Sequence, residues 1–515
     1  RDTMPVGGDT PAHTYLADHL AAQLFGSGRI ISWADGWWCG FPMFQFYFCL
    51  PYVLMACLDL LLPFNVAFKL VSVSGMCLLP LGAYTSARLM RLPRPTPLLL
   101  AAAMVPYLFD RSHTMWGVNA YSTLAGMISN SISFPIMLCF LGSALRDAED
   151  DRFRLRTALL LSLLAASHFF TTLMACLTLL AAPLLFRRPR RALRAVRILG
   201  TEGLLGLALM AWWLVPLIAK QPHAVAFGTN WDVDLPDALP RAITILAAGS
   251  LAGAAVGAWR RLRSVGLFVV MLLLAVLLFG LGYSLSEVFV NVRLWPFITF
   301  SLFALTATAL GWALWRRPGS ASGPLAVVCA CLVYGPDRPD EVRAWARWNY
   351  GGLERRNYGR AFLDLVQRLD GTPGRLANDL HPDNNSLGST RVFEAVPHLV
   401  NKPILEGGLV NSALGALFSY YVQGEMSRDC AGFPTRMQPT TFNPEHGTDH
   451  LELFNVKHFI ARWQRTRAAL RDSPRWRALA TADKWELFEL ISHRGDDVFI
   501  PPHAPVGVVT RRWKD

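Results

Sequence analysis

VGGDTPAHTYLADHLAAQLFGSGRIISWADGWWCGFPMFQFYF, residues 6–48, is the stretch that decides how the rest of the chain is read. It is too polar to lie inside a bilayer, yet apolar runs follow it almost to residue 334. Pro11 suits the first position of a helix, with Thr10 or Asp9 before it as N-cap. Apolar residues recur at Ala12, Tyr15, Leu16, Leu20 and Leu24, which predicts a helix with one apolar face. Gly26 and Gly28 predict its end. The pattern is that of an amphipathic helix lying on a membrane. A carboxylate, Asp9, and an imidazole, His13, stand one turn apart at its N-terminal end.

Composition divides the chain. Of 515 residues, 53% are hydrophobic and 17% charged, whereas a soluble protein is usually about one-quarter charged. The deficit is uneven, because residues 335–515 are ordinarily polar. The expectation is a polytopic α-helical membrane domain followed by a soluble mixed α/β domain. The net charge of +12 does not point to nucleic acid, because the arginines cluster between apolar runs, as positive-inside loops do. Of the nine cysteines, only Cys39 and Cys430 read as exposed. No CxxC occurs, so neither a zinc site nor a disulfide framework is supported.

Taken in order, residues 42–62 carry Pro51 and Asp59 and read as a membrane-surface helix. Residues 66–87 form a span ending at Arg88, Arg91 and Arg94. With that basic cluster in the cytoplasm, 97–109 lead out, 110–121 form an external loop, and 122–145 return to Arg146, Arg152, Arg154 and Arg156. The run 157–186 is basic at both ends, so it reads as a hairpin of two short helices turning at Ser167-His168. Residues 198–219 lead out to an acidic loop, 241–259 return, 264–283 lead out, 295–315 return to Arg316 and Arg317, and 323–334 lead out again. This predicts ten crossings from residue 66 onward, or eleven with a further helix before Arg1. The expected division is a first external loop over 1–65, a membrane domain over 66–334, and a periplasmic or extracellular domain over 335–515. In that last part, 356–369 read as a helix. The segments GRLAND, VKHFIA, KWELFEL and DDVFI read as strands, with turns at Gly407-Gly408 and Pro501-Pro502.

Several residues are candidates for chemistry. Asp9 is either a plain N-cap, worth about 1 kcal/mol, or a general base or metal ligand at the mouth of a membrane cavity. His13 is either a helix-surface residue or a donor to a phosphate docked at the helix end, where free N–H groups favour anions. Arg293 breaks the positive-inside pattern in FVNVRLWPF; it either snorkels to headgroups or meets a lipid-linked phosphate. His168 is either a satisfied turn residue or a functional group at membrane depth. His113, in DRSHTMWGVN, is a weaker candidate for substrate contact. Trp37 and Trp38 belong to an aromatic cluster that is either an interfacial belt or a sugar-stacking surface. NPEHGTDHLELF offers His446, Asp449, His450 and Glu452, but matches no zinc spacing. There is no Walker loop, GxSxG elbow or HExxH.

GDTPAH, the helix after it, SGRIISWADGWWCGFPMFQFYFCLPYVLMA and the later SHFFT resemble a family of large bacterial and archaeal membrane proteins labelled as related to 6-pyruvoyl-tetrahydropterin synthase. These are similar to the multi-spanning glycosyltransferases of the GT-C class, which use lipid-linked sugars. The likeness covers nearly the whole chain in architecture, but only short motifs in sequence. It implies that the first-loop acid, here Asp9, is a catalytic base or a metal ligand. By location, Arg293 and His168, with His13, would hold the donor phosphate. Many members carry two acidic residues close together, whereas Asp9 is followed by Thr10-Pro11. A metal requirement is therefore not carried over, and a divalent cation, magnesium or manganese, stays open. The function implied is inverting transfer of a sugar from a polyprenyl-phosphate donor to an envelope glycan, lipid or protein acceptor. The setting implied is the bacterial inner membrane, with the first loop and the C-terminal domain outside the cytoplasm. The alternative is a non-catalytic scaffold of the same fold in envelope polysaccharide assembly. A transporter fits less well, because transporters bind substrate near the midplane.

Overall fold

The structure is a computed structural model; it describes residues 1–111, 113–225, 230–240, 242–286, 289–315, 321–334, 339–427 and 441–493. Cys430, Arg316 and Arg317, the DDVFI segment and Pro501-Pro502 lie outside the described residues. The first loop holds helix α1 (Thr10–Ser27), a hairpin of β1 (Ser32–Ala34) and β2 (Phe41–Met43), and α2 (Leu50–Asp59). The apolar part follows as α3 (Phe64–Leu89), α4 (Thr96–Leu108), α5 (Ala120–Leu124), α6 (Ile128–Asp150), α7 (Leu155–Ala165), α8 (Phe169–Leu180), α9 (Pro189–Leu209) and α10 (Ala211–Lys220). It continues through the short α11 (Leu235–Ala238) to α12 (Ile243–Arg260), α13 (Arg263–Leu285), α14 (Trp295–Trp315) and α15 (Ser322–Tyr334).

Each apolar run expected to cross the membrane is a helix, but not every one is long enough to cross as a single span. Five helices among the described residues are long and apolar enough to cross: α3, α6, α12, α13 and α14 with the turn before it. The α9–α10 pair, bent by 77°, makes a sixth if it counts as one span. Helix α4 has 13 residues, about 20 Å at 1.5 Å per residue, against a hydrocarbon core of about 30 Å. The hairpin expected over 157–186 is present as α7 and α8, with His168 as N-cap of α8. Leucines such as Leu78, Leu204, Leu251 and Leu273 are exposed on the outside of the bundle, as a lipid-facing surface requires.

The C-terminal part carries α16 (Pro339–Tyr350), α17 (Gly359–Gln367), β3 (Arg375–Asn378), α18 (Val396–Val400), α19 (Ala416–Met426), α20 (Pro444–Leu453), β4 (Val456–Ala461), α21 (Gln464–Asp472), β5 (Trp476–Ala482) and β6 (Trp485–Leu490). Its sheet runs in the order β3-β4-β6-β5, with β3 parallel to β4 and the other pairs antiparallel. Three of the expected strands are there, while β5 was not foreseen: its WRALATA sequence is largely exposed and alternates weakly.

One apolar core runs from Met4, Leu16, Trp37 and Phe44 of the first loop, through Phe68 and Ile128, to Leu353, Phe393 and Trp485 of the C-terminal part. Helix α1 lies within it. Thr10 to Ala17 are all buried, as is Leu20. This corrects the expected membrane-surface helix: the first half of α1 has no solvent face, because α2 and the segment 392–400 cover it. Gly28 ends the helix in a left-handed conformation (φ 67°), as its sequence predicts.

Candidate active site

Asp9 is held from both sides by backbone. Its N–H donates to the Ala125 carbonyl at 2.9 Å. Gly8 (φ 56°) packs so closely that a Cβ there would lie 2.2 Å from the same oxygen. Opposite, Gly126 (φ 113°) leaves room for Asp9, since a Cβ on it would sit 3.0 Å from the Asp9 Cβ. The start of α1 and the turn before α6 therefore lock the position. Asp9 stands at the N-cap but makes no side-chain capping bond. The plain-cap reading of Asp9 is therefore corrected: its carboxylate is left available.

That carboxylate is 36% exposed and lies 3.8 Å from an Nη of Arg391, itself 34% exposed. Arg391 is anchored on its inner side by an ion pair with Glu394, 2% exposed, and donates to the Gly407 carbonyl at 3.1 Å. Burial works against the Arg391 charge, but Glu394, Asp9 and Glu406 outweigh it, and the guanidinium is held protonated. Beyond it, Gln423 donates to Glu406 at 2.7 Å. A small cleft of about 20 Å³ lies there, lined in part by Trp38, Glu406, Tyr420 and Gln423, with space for roughly one water.

Arg293 approaches from the membrane side. It lies in the turn Asn291–Leu294 at the head of α14 and is gripped by the Met115 carbonyl. It is within electrostatic reach of Asp9, Tyr47 and His168. Two cations, one from the membrane helices and one from the C-terminal part, thus lie near one carboxylate. His168 caps α8, with Nδ1 2.9 Å from the Thr171 hydroxyl and 3.3 Å from the Asn130 amide nitrogen. Its ring lies 5.3 Å from that of Phe48.

Three expectations need correction. His13 is buried behind Asp9, with Nδ1 2.6 Å from the Tyr52 hydroxyl. Burial, only partly offset by Asp9 and the Gly126 backbone, lowers its pKa to about 4, so it is a neutral group packed behind Asp9 and not on the helix surface. Trp37 and Trp38 are neither belt nor stacking surface. Their indole N–H groups donate to the Glu394 carbonyl at 3.0 Å and the Gly408 carbonyl at 2.7 Å, and the C-terminal part covers both. His113 is buried against Trp116, 4.9 Å between ring centres. Burial lowers its pKa to about 4, and it packs inside the loop whose Met115 carbonyl holds Arg293.

In the NPEHGTDHLELF segment, His450 pairs with Glu425 at 2.7 Å, while Asp449 and Glu452 both pair with Arg475. Among the described residues no three His, Cys, Asp or Glu side chains could together hold a metal ion. The group that faces Asp9 is a guanidinium. The donor set here does not fit a divalent cation. Sequence reading missed Arg391, Glu394 and Tyr52; no local motif marks any of them.

The fold is similar to those of the solved structures of ArnT and AglB. ArnT from Cupriavidus metallidurans in the apo state matches with a TM-score of 0.56, 12% identity and 96% of each chain covered. The same protein bound to undecaprenyl phosphate gives 0.52, again at 12% identity and 96% of each chain. AglB, an archaeal oligosaccharyltransferase from Archaeoglobus fulgidus in complex with an inhibitory peptide and a dolichol-phosphate, gives 0.52 at 10% identity, over 97% of this chain and 72% of that one. At such identities the likeness is one of fold. Residues 44–334 match the family described as 6-pyruvoyl-tetrahydropterin synthase related domain, a membrane protein, and the chain belongs to that family. No curated protein matches it by sequence.

Proposed function

We propose that this protein is an inverting glycosyltransferase that takes a sugar from a polyprenyl-phosphate donor. The observation that carries the reading is Asp9: a half-open carboxylate without a capping bond, facing Arg391 at 3.8 Å and within electrostatic reach of Arg293. An acceptor hydroxyl attacks the anomeric carbon as the bond from that carbon to the phosphate oxygen breaks. The hydroxyl proton passes to Asp9, and the polyprenyl phosphate leaves with its charge met by Arg293 and Arg391. His13 and Tyr52 position α1 behind Asp9, and His168 steadies the turn beside Arg293. The acceptor is a glycan, lipid or protein of the envelope, reached from the side on which the first loop and the C-terminal part lie. We take that side as external, in the inner membrane of a bacterium, because the arginines gather at the other end of the bundle.

The test is transfer by the reconstituted protein from undecaprenyl- and dolichol-phosphate-linked hexoses and pentoses, read as release of free polyprenyl phosphate. Loss of a general base typically costs about 10²–10⁴-fold, and Asp9→Asn should fall in that range. Undiminished release would refute the assignment and leave the scaffold reading, in which changes to the C-terminal part abolish function while Asp9→Asn spares it.

A further inference from the structure

At the other end of the bundle from Asp9 lies a groove of about 690 Å³ that the transfer reaction does not use. It is formed where α9 and α13 begin and α12 ends. Helix α13 has 23 residues, about 34 Å, so the groove at its start and Arg293 beyond its end lie on opposite faces of the bundle. Arg187, Arg188, Arg191 and Arg261 stand on its rim, with Arg263 deeper. Arg263 is engaged, paired with Glu149 at 3.0 Å and lying 4.5 Å over the Phe186 ring. The other four are exposed and have no ion-pair partner among the described residues. The walls below them are apolar, with Leu185, Ala258, Val265 and Val269.

Basic residues at the end of a membrane bundle normally face bulk headgroups. Two features set this place apart. The arginines surround a concave volume in the range of specific ligand pockets. Two helix N-termini also open onto it: Arg188 and Leu262 are the N-caps of α9 and α13, and neither makes a side-chain capping bond. Free N–H groups and guanidinium groups thus converge over an apolar cleft.

We propose that this groove is a binding site for one anionic phospholipid, with the phosphate among Arg188, Arg191 and Arg261 and an acyl chain along Val265 and Val269. The charge selects an anion, and the apolar walls select an amphiphile over a free ion. The site is independent of the transfer chemistry, so it stands or falls separately from it.

Native mass spectrometry of the purified protein in mild detergent, titrated with phosphatidylglycerol and separately with phosphatidylcholine of the same chains, tests this. The wild-type protein should retain a single phosphatidylglycerol and prefer it over phosphatidylcholine. The triple change Arg188→Gln, Arg191→Gln and Arg261→Gln should cut that retention by at least about tenfold. A charge-matched control, Arg152→Gln, Arg190→Gln and Arg197→Gln, removes exposed arginines outside the groove and should leave it unchanged. Ala258→Trp keeps every charge and fills the cleft; it should also lose the lipid, which covers the case in which the triple variant fails to fold. Equal loss in the lining and control variants, equal retention of phosphatidylcholine, or displacement of the lipid by inorganic phosphate would each overturn the proposal.

Discussion

Glu394 shows what the residue scale demands of this site. Three carboxylates, Asp9, Glu394 and Glu406, act on the single guanidinium of Arg391, so the most buried of them is under pressure to hold a proton. Burial raises the Glu394 pKa from 4.5 to about 8; Arg391 opposes the rise, and Glu406 and Asp9 add to it. Between those two values the folded protein keeps a proton that the unfolded chain has released. Stability should therefore fall as pH rises from about 4.5 to about 8. Glu394→Gln should flatten that part of the melting-temperature profile, and an unchanged slope would mean that Glu394 is ionised throughout. Arg391→Gln has a different signature: without its cation Glu394 titrates higher still, so the pH-dependent loss of stability should move to higher pH. Thermal unfolding should read that shift, while Arg391→Lys, keeping the charge but not the fork, should recover the stability profile ahead of transfer.

At the scale of elements, the hairpin β1–β2 joins the first loop to the C-terminal part. Trp38, Cys39 and Gly40 take successive left-handed conformations, with φ of 56°, 65° and 100°. Such backbone costs roughly 1–3 kcal/mol at each non-glycine residue. It is tolerated because it turns both Trp37 and Trp38 inward, where they are buried. The backbone joins too, since Ile404 N–H donates to the Gly36 carbonyl at 2.8 Å. Trp37→Ala or Trp38→Ala should each destabilise the protein by about 3–5 kcal/mol. Trp33→Ala, at a residue 61% exposed in the same hairpin, should stay within about 0.5 kcal/mol. Thermal unfolding in detergent separates the two cases; equal effects would mean that the hairpin does not hold the C-terminal part.

Across the whole molecule, the shared core decides how separable the parts are. Trp37, Phe44, Phe393 and Trp485 belong to one apolar cluster. Removing residues 335–515 would expose the covered face of α1 and of the hairpin, and would take Arg391 from Asp9. A chain ending at 334 should therefore aggregate on size-exclusion chromatography and show no transfer. A monodisperse truncated protein that retained transfer would show the C-terminal part to be dispensable.

What the sequence by itself determined was whatever is written in neighbouring residues. Apolar runs marked out the membrane helices, paired basic ends predicted the break at Ser167-His168, Gly28 ended α1, and the segments GRLAND, VKHFIA and KWELFEL marked β3, β4 and β6. The position of Asp9 before Pro11 was readable for the same reason. Run length was a poorer guide to crossings, because α4 is apolar throughout yet shorter than the bilayer core. Only the tertiary structure decided that Arg391 meets Asp9, that His13 is a buried support, and that the two tryptophans are covered by protein and not by lipid. Each of these depends on residues brought together from distant parts of the chain or on burial from all sides. No local periodicity encodes such contacts, because they arise only when the first loop and the C-terminal part close over one core.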